Sequence, residues 1–134
     1  MLLTRLLAGS VFLIVGWAKI QNPFGWMGPD GFAPGFLQAL AALSEFGGGI
    51  ALILGLLTPL ASFGLFCTMV VAAGFHLSLG DPLVNMTGGG AAYPAAMFGC
   101  IALLIISLGP GRMSLDRVIF GVRRARLTDE TVQA

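Results

Sequence analysis

No lysine or arginine occurs between Ile20 and Gly111. A chain of 134 residues with that gap, 57% hydrophobic and only 10% charged, cannot coat a water-soluble fold, whose surface needs dispersed charge. Its mean hydropathy is +0.93. The net charge of +1 says little, but the placement of the charges says more. Arg5 and Lys19 lie early, and Arg112, Arg117, Arg123, Arg124 and Arg126 lie late. Nucleic-acid binding calls for basic and aromatic residues interleaved on one surface. Basic residues confined to the ends are instead the mark of a membrane protein with a basic cytoplasmic end.

Apolar runs of about 20 residues can cross a bilayer, and four are visible: Leu2 to Ile20, Phe36 to Leu57, Leu60 to Leu79 and Ala91 to Leu108. The first carries Arg5 and then an apolar stretch in the manner of a signal peptide, with Gly16-Trp17-Ala18 as a weak cleavage pattern, but we expect an uncleaved span. Thr58-Pro59 breaks the second run from the third, which predicts an antiparallel hairpin. Gly109-Pro110-Gly111 ends the fourth. Beyond it, Ser114 is a candidate helix cap. Leu115, Val118, Ile119 and Val122 then recur at helical spacing, which predicts an interfacial helix whose arginines meet lipid headgroups. The fold class is therefore all-α: an integral membrane four-helix bundle with a short C-terminal interfacial helix. Residues 1–122 form the membrane domain and 123–134 a basic, then polar, cytoplasmic tail. The expected location is a bacterial-type inner membrane, multi-pass, with both termini cytoplasmic.

Glu45 stands inside the second run, and an ionisable group in hydrocarbon needs a partner or a function. It follows Phe36 by about 13 Å at ~1.5 Å per residue. Lys19 closes the first run, His76 lies a turn before the end of the third, and Tyr93 opens the fourth. Each span thus carries one proton-active side chain toward the same membrane face. Lys19, turned inward, would pair with Glu45, and His76 would bridge to Glu45 or Tyr93. A purely structural Lys19–Glu45 pair that fixes helix register is the plainer reading. Gly47-Gly48-Gly49 permit close approach of a neighbouring helix, or leave room for a flat ligand beside the carboxylate. The glycine faces would also permit a homo-oligomer. Cys67 and Cys100 stand alone in apolar stretches with no metal-ligand spacing, and read as small buried apolar residues. The sequence contains no metal or flavin motif.

In chain order these residues resemble the DoxX family of small four-helix membrane proteins. The carrying motifs are Gly16-Trp17-Ala18-Lys19, Glu45-Phe46-Gly47-Gly48-Gly49, Gly55-Leu56-Leu57-Thr58-Pro59, His76, and Gly109-Pro110-Gly111-Arg112-Met113-Ser114-Leu115-Asp116. The resemblance covers Leu3 to Val122. It implies membrane redox chemistry, since relatives include subunits of a thiosulfate:quinone oxidoreductase and others associate with oxidative-stress enzymes. It also implies that Lys19, Glu45 and His76 are the family's polar positions. Many relatives place an acid at the start of the fourth span, where this chain has Ala91-Ala92-Tyr93-Pro94.

The expected function is that of a quinone-interacting subunit. Glu45, His76 and Lys19 are the candidate catalytic residues, and Tyr93, Gly48 and Gly49 the candidate substrate-binding ones. Electrons would come from a partner protein or a small substrate, because one histidine cannot ligate a haem through two. The alternative is a non-catalytic scaffold or assembly subunit in which the Lys–Glu pair is structural. Membrane lipid surrounds the protein on either reading.

Overall fold

The structure is a computed structural model that describes residues 1–29, 31–86, 90–111 and 113–119. It contains four helices: α1 (Leu2–Ile20), α2 (Gly35–Leu54), α3 (Thr58–Ser78) and α4 (Tyr93–Leu108). No strand occurs among the described residues. The first three are long and apolar enough to cross a membrane. The fourth has 16 residues and spans about 24 Å.

Helix ends follow backbone chemistry more closely than hydropathy. Helix α2 stops at Leu54, short of the expected Leu57, because Gly55 turns left-handed (φ 69°) and its N–H closes on the Ala51 and Leu52 carbonyls. Leu57 also adopts positive φ (47°), a conformation unfavourable for a residue with a Cβ. The connection is therefore two left-handed residues in three, and it sends α3 back antiparallel to α2. Pro59 sits in the first turn of α3, where its missing N–H does no harm, so α3 begins two residues before the expected Leu60. Helix α4 starts at Tyr93 rather than Ala91 for the same reason, with Pro94 in its first turn.

The helices pack in ring order, α1 on α2, α2 on α3 and α3 on α4, while α1 and α4 barely touch. Phe12 and Phe98, ring centroids 5.3 Å apart and edge-on, bridge that thin seam. Ala8, Phe12, Leu52, Leu65, Met69, Ala102 and Ile105 form the apolar core. Around it the bundle is inverted relative to a soluble protein. Ile14 is 71% exposed, whereas Arg5 and Glu45 are 1% and 0% exposed. Apolar side chains cover the outside and the charges lie within, as a lipid solvent requires.

Glycines set the helix distances. Gly9 and Gly16 of α1 face α2 so closely that a Cβ added at Gly16 would lie 2.7 Å from Phe46 Cα and 2.8 Å from the Glu45 carbonyl carbon. One at Gly49 would lie 2.7 Å from the Leu13 nitrogen. Gly48 packs on Leu65 and Gly64 on Ser44. Gly9, Gly16, Gly48, Gly49 and Gly64 are thus used in contacts inside the bundle, whereas a Cβ at Gly74 would meet nothing within 4 Å. Cys67 and Cys100, expected buried, are both exposed.

One end of the bundle is locked by Arg5. Its guanidinium donates to the carbonyls of Leu52 (3.0 Å), Met113 (3.2 Å) and Pro110, tying α1 to the end of α2 and to the segment after α4. Asp116 completes the lock. Its carboxylate accepts from the Leu57 N–H (2.6 Å) and the Thr58 N–H (2.7 Å), capping α3 from a distant part of the chain. Residues 115–119 are helical, with Ser114 Oγ accepting the Arg117 N–H at 3.3 Å. Leu115, Val118 and Ile119 are exposed. Val122, the arginines at 112, 123, 124 and 126, and the tail 123–134 lie outside the described residues.

Candidate functional site

At the opposite end from Arg5, the close contact at Gly16 places the α1 backbone directly against Glu45. Lys19 follows Gly16 by three residues, nearly one turn, so its side chain meets Glu45 across the same contact. The ammonium reaches Glu45 Oε1 at 2.5 Å, with 1% of the Glu45 side chain exposed and 21% of the Lys19 side chain. The inward turn of Lys19 considered from the sequence is therefore the arrangement found. The Trp26 ring lies 4.5 Å from Lys19 Nζ, a cation–π contact on the ammonium's other side.

Trp26 belongs to the first loop, which folds back over this end. Its Nε1 donates to the Gln38 carbonyl at 3.0 Å. The Gln38 side chain accepts the Met27 N–H (3.0 Å) and donates to the Ala33 carbonyl (2.8 Å). Phe32, farther along the loop, stacks on Phe75 of α3 at 4.2 Å between centroids. Beneath the loop lies a cleft of about 390 Å³, walled by Trp26, Phe32 and Phe75 among apolar neighbours, with Lys19, Glu45 and His76 in its lining. Gln38→Ala removes both side-chain bonds, each worth about 1 kcal/mol. We expect amide hydrogen exchange in residues 22–33 to accelerate at least several-fold while α3 is unchanged. Unaltered loop exchange would show that Gln38 does not hold the loop.

Glu45 Oε2 has no hydrogen-bond partner among the described residues. Three hydroxyls, on Ser44, Thr58 and Ser62, are also buried and unpartnered, but Glu45 alone among these is ionisable. A larger cavity of about 670 Å³ opens at the Arg5 end beside Leu57, Leu60 and Pro110. Its carboxylate, Asp116, already caps two backbone amides, and its arginine, Arg117, is exposed. The smaller cleft is therefore where polar chemistry remains open.

His76 does not bridge to Glu45 or Tyr93 as expected. Its Nδ1 lies 2.8 Å from Asp81 Oδ2. Gly80, left-handed at φ 80°, reverses the chain after α3, and the Asp81 N–H returns to the His76 carbonyl at 3.1 Å. This helix-end turn brings residue i+5 back beside residue i. Tyr93 is 41% exposed and is not among the cleft residues. Gly48 and Gly49 face Leu65 and Leu13, at helix contacts rather than in the cleft lining.

Sequence reasoning missed Gln38, Asp81 and the fixed position of Trp26. A lone amide in an apolar run, and an Asp-Pro just past a Gly at a helix end, were the available signals. No cluster of three or more His, Cys, Asp or Glu suited to a metal occurs among the described residues.

The chain matches the DoxX family model over residues 1–78, the stretch that carries Lys19, Glu45 and His76. It is 34% identical over 122 residues to "Inner membrane protein YqjF" of Escherichia coli (strain K12), covering 88% of this chain and 90% of that protein. No solved structure matches it. With its motifs, its helical architecture and these matches in agreement, the chain belongs to the DoxX family and is a DoxX-type integral membrane protein.

Proposed function

We propose that this protein is a quinone-interacting subunit in membrane redox chemistry, acting through the cleft that holds Lys19, Glu45 and His76. The observation that carries the reading is Glu45 itself, in the lining of an aromatic-walled cleft and bound to Lys19 through one oxygen, with its other oxygen buried and unpartnered among the described residues. Nothing in bundle packing alone calls for an unpartnered carboxylate oxygen at that depth.

The residues fit the group. A flat ring with an apolar tail suits walls made by Trp26, Phe32 and Phe75, and its oxygens need polar groups at the same place. When bound, a quinone supplies a couple that exchanges two electrons and two protons. In this reading Glu45 holds and passes a proton, Lys19 balances the carboxylate charge in a low-dielectric setting, and His76 is the second proton-active group. Tyr93, Gly48 and Gly49 lie where they have no direct part in it. Electrons are exchanged with a partner redox protein or a small substrate. The location named for the E. coli relative supports a bacterial inner membrane, and the late arginines support cytoplasmic termini.

The test is binding of ubiquinone-1 or a short-chain menaquinone to detergent-purified protein. We expect saturable binding, weakened roughly tenfold or more by Glu45→Gln and by His76→Ala, each worth about one lost hydrogen bond to a charged or polar group. Absence of binding by the wild type would overturn the reading. The scaffold reading has its own support, because the Lys19–Glu45 pair joins α1 to α2 beside their closest backbone contact. On that reading the double variant Lys19→Met/Glu45→Gln folds and keeps its partners.

A further inference from the structure

We infer that the cleft opens sideways into the bilayer between α2 and α3, and that a quinone enters it from the lipid and leaves its polyprenyl tail in that mouth, against Leu40, Val71 and Cys67. This rests on the quinone reading above and adds to it the route of entry and the seat of the tail.

Helices α2 and α3 approach closely where Gly48 meets Leu65 and Gly64 meets Ser44. On the first-loop side of those contacts the cleft lies between them. Leu37, Leu40 and Ala41 line one wall, and Cys67, Val71 and Phe75 the other. These walls are not enclosed. Leu40 is 60% and Val71 58% exposed, and Cys67 is exposed as well. Both helices are long and apolar enough to cross a membrane. Cys67 is the tenth of the 21 residues of α3, roughly 15 Å from either end at about 1.5 Å per residue. A side chain exposed at that depth faces hydrocarbon rather than water. The mouth therefore gives onto acyl chains.

The end under the first loop is better closed. Trp26 donates to the Gln38 carbonyl, the Gln38 side chain bonds Met27 and Ala33, and Phe32 stacks on Phe75. The cleft is also too small for the whole ligand. Its volume of about 390 Å³ lies near the bottom of the ~300–1,000 Å³ common to sites for drug-sized molecules. That holds a substituted ring but not a polyprenyl chain, so the tail must leave. Through the lateral mouth it leaves into a solvent of its own polarity. The ring stays beside Lys19, whose ammonium has three N–H groups and gives one to Glu45. With 21% of the Lys19 side chain exposed, another is free to meet a ligand carbonyl.

Cys67 itself carries the first test. A nitroxide attached there in a Cys100→Ser chain, in lipid bilayers, reports collisions with dissolved oxygen and with a water-soluble nickel chelate. We expect the pattern of a lipid-facing label. The lipid reference is Val70→Cys, at a position 53% exposed on the same helix and outside the cleft lining. The water reference is Met86→Cys, at a position 92% exposed in the third loop. Both reference chains also carry Cys67→Ser and Cys100→Ser. Nickel collisions at Cys67 as frequent as at the Met86→Cys label would show a water-filled mouth and overturn the inference.

Binding of ubiquinone-2 in the same bilayers tests the tail. Leu40→Trp and Val71→Trp fill the mouth and should each weaken binding roughly tenfold or more, as expected when buried methylenes are displaced. Val70→Trp should leave it unchanged. Bound ubiquinone-2 should shield the Cys67 label from oxygen, and the tailless ubiquinone-0 should not. Wild-type affinity in both Leu40→Trp and Val71→Trp, or a label left unshielded by bound ubiquinone-2, would overturn this inference and leave the quinone reading standing. Absence of ubiquinone-2 binding by the wild type would overturn both.

Discussion

Gly16→Val is expected to separate α1 from α2 and to dismantle the Lys19–Glu45 pair. A Cβ there meets backbone atoms, Phe46 Cα at 2.7 Å and the Glu45 carbonyl carbon at 2.8 Å, and a helix backbone cannot yield as a flexible side chain does. The helices must move apart, which withdraws Lys19 from a carboxylate that is 0% exposed. Overpacking alone costs about 1–3 kcal/mol, and stranding one member of a buried ion pair costs about 3–5 kcal/mol. We expect failure to accumulate in the membrane, or a melting temperature in mild detergent lower by about 10 °C or more. Gly74→Ala and Gly47→Ala are the controls. A Cβ at Gly74 meets nothing within 4 Å, and one at Gly47 meets only Leu43 at 3.7 Å, so both should be neutral or slightly stabilising through helix propensity. If Gly16→Val melts with Gly74→Ala, the close contact is not what holds the site.

Arg5→Met should have the second large effect, at the other end of the bundle. The guanidinium is 1% exposed and donates to carbonyls of Leu52, Pro110 and Met113. Asp116 lies near enough for its charge to act on it. Methionine fills much of the volume but leaves those acceptors short of a donor and takes the Arg5 charge away from the carboxylate. Hydrogen bonds to a charged group contribute about 1.5–3 kcal/mol each, so a loss of at least about 3 kcal/mol is expected, read as a lower melting temperature. Arg5→Lys should recover only part of it, since an ammonium lacks the planar fork that reaches three carbonyls at once. Asp116→Asn should also destabilise, because the positive φ at Leu57 relies on both carboxylate oxygens. A stable Arg5→Met would mean that the segment after α4 is not needed to close the bundle.

The sequence alone was enough to place α1, whose bounds coincide with the expected run, because apolar length is a local property. It also named Lys19, Glu45 and His76, since ionisable groups in apolar runs stand out whatever the fold. Arg5 was visible as a charge but not as the lock it proves to be. Asp116 stood in a motif with no role attached. Both depend on contacts between residues far apart in the chain, Leu52 being 47 positions from Arg5 and Leu57 and Thr58 being 59 and 58 positions from Asp116, and no local pattern encodes such a distance.

The direction each helix faces was the chief thing hidden. In a soluble helix an apolar stripe marks the buried side. Here apolar residues surround every helix, because lipid accepts them as readily as the core does, so the rotation of each helix cannot be read from hydropathy. Gly48 and Gly49 therefore looked as suited to a ligand as to a neighbour, and only the packing put them against Leu65 and Leu13. His76 looked ready for Glu45, and only the left-handed turn at Gly80 gave it Asp81 instead. Sequence determined that this chain lives in a membrane, that it is helical and that its basic residues lie toward its two ends, because composition and run length set the transfer free energy of each segment. Tertiary structure decided which of those charges meet, because pairing depends on helix rotation and turn geometry, and both are set by backbone contacts at glycines rather than by hydrophobicity.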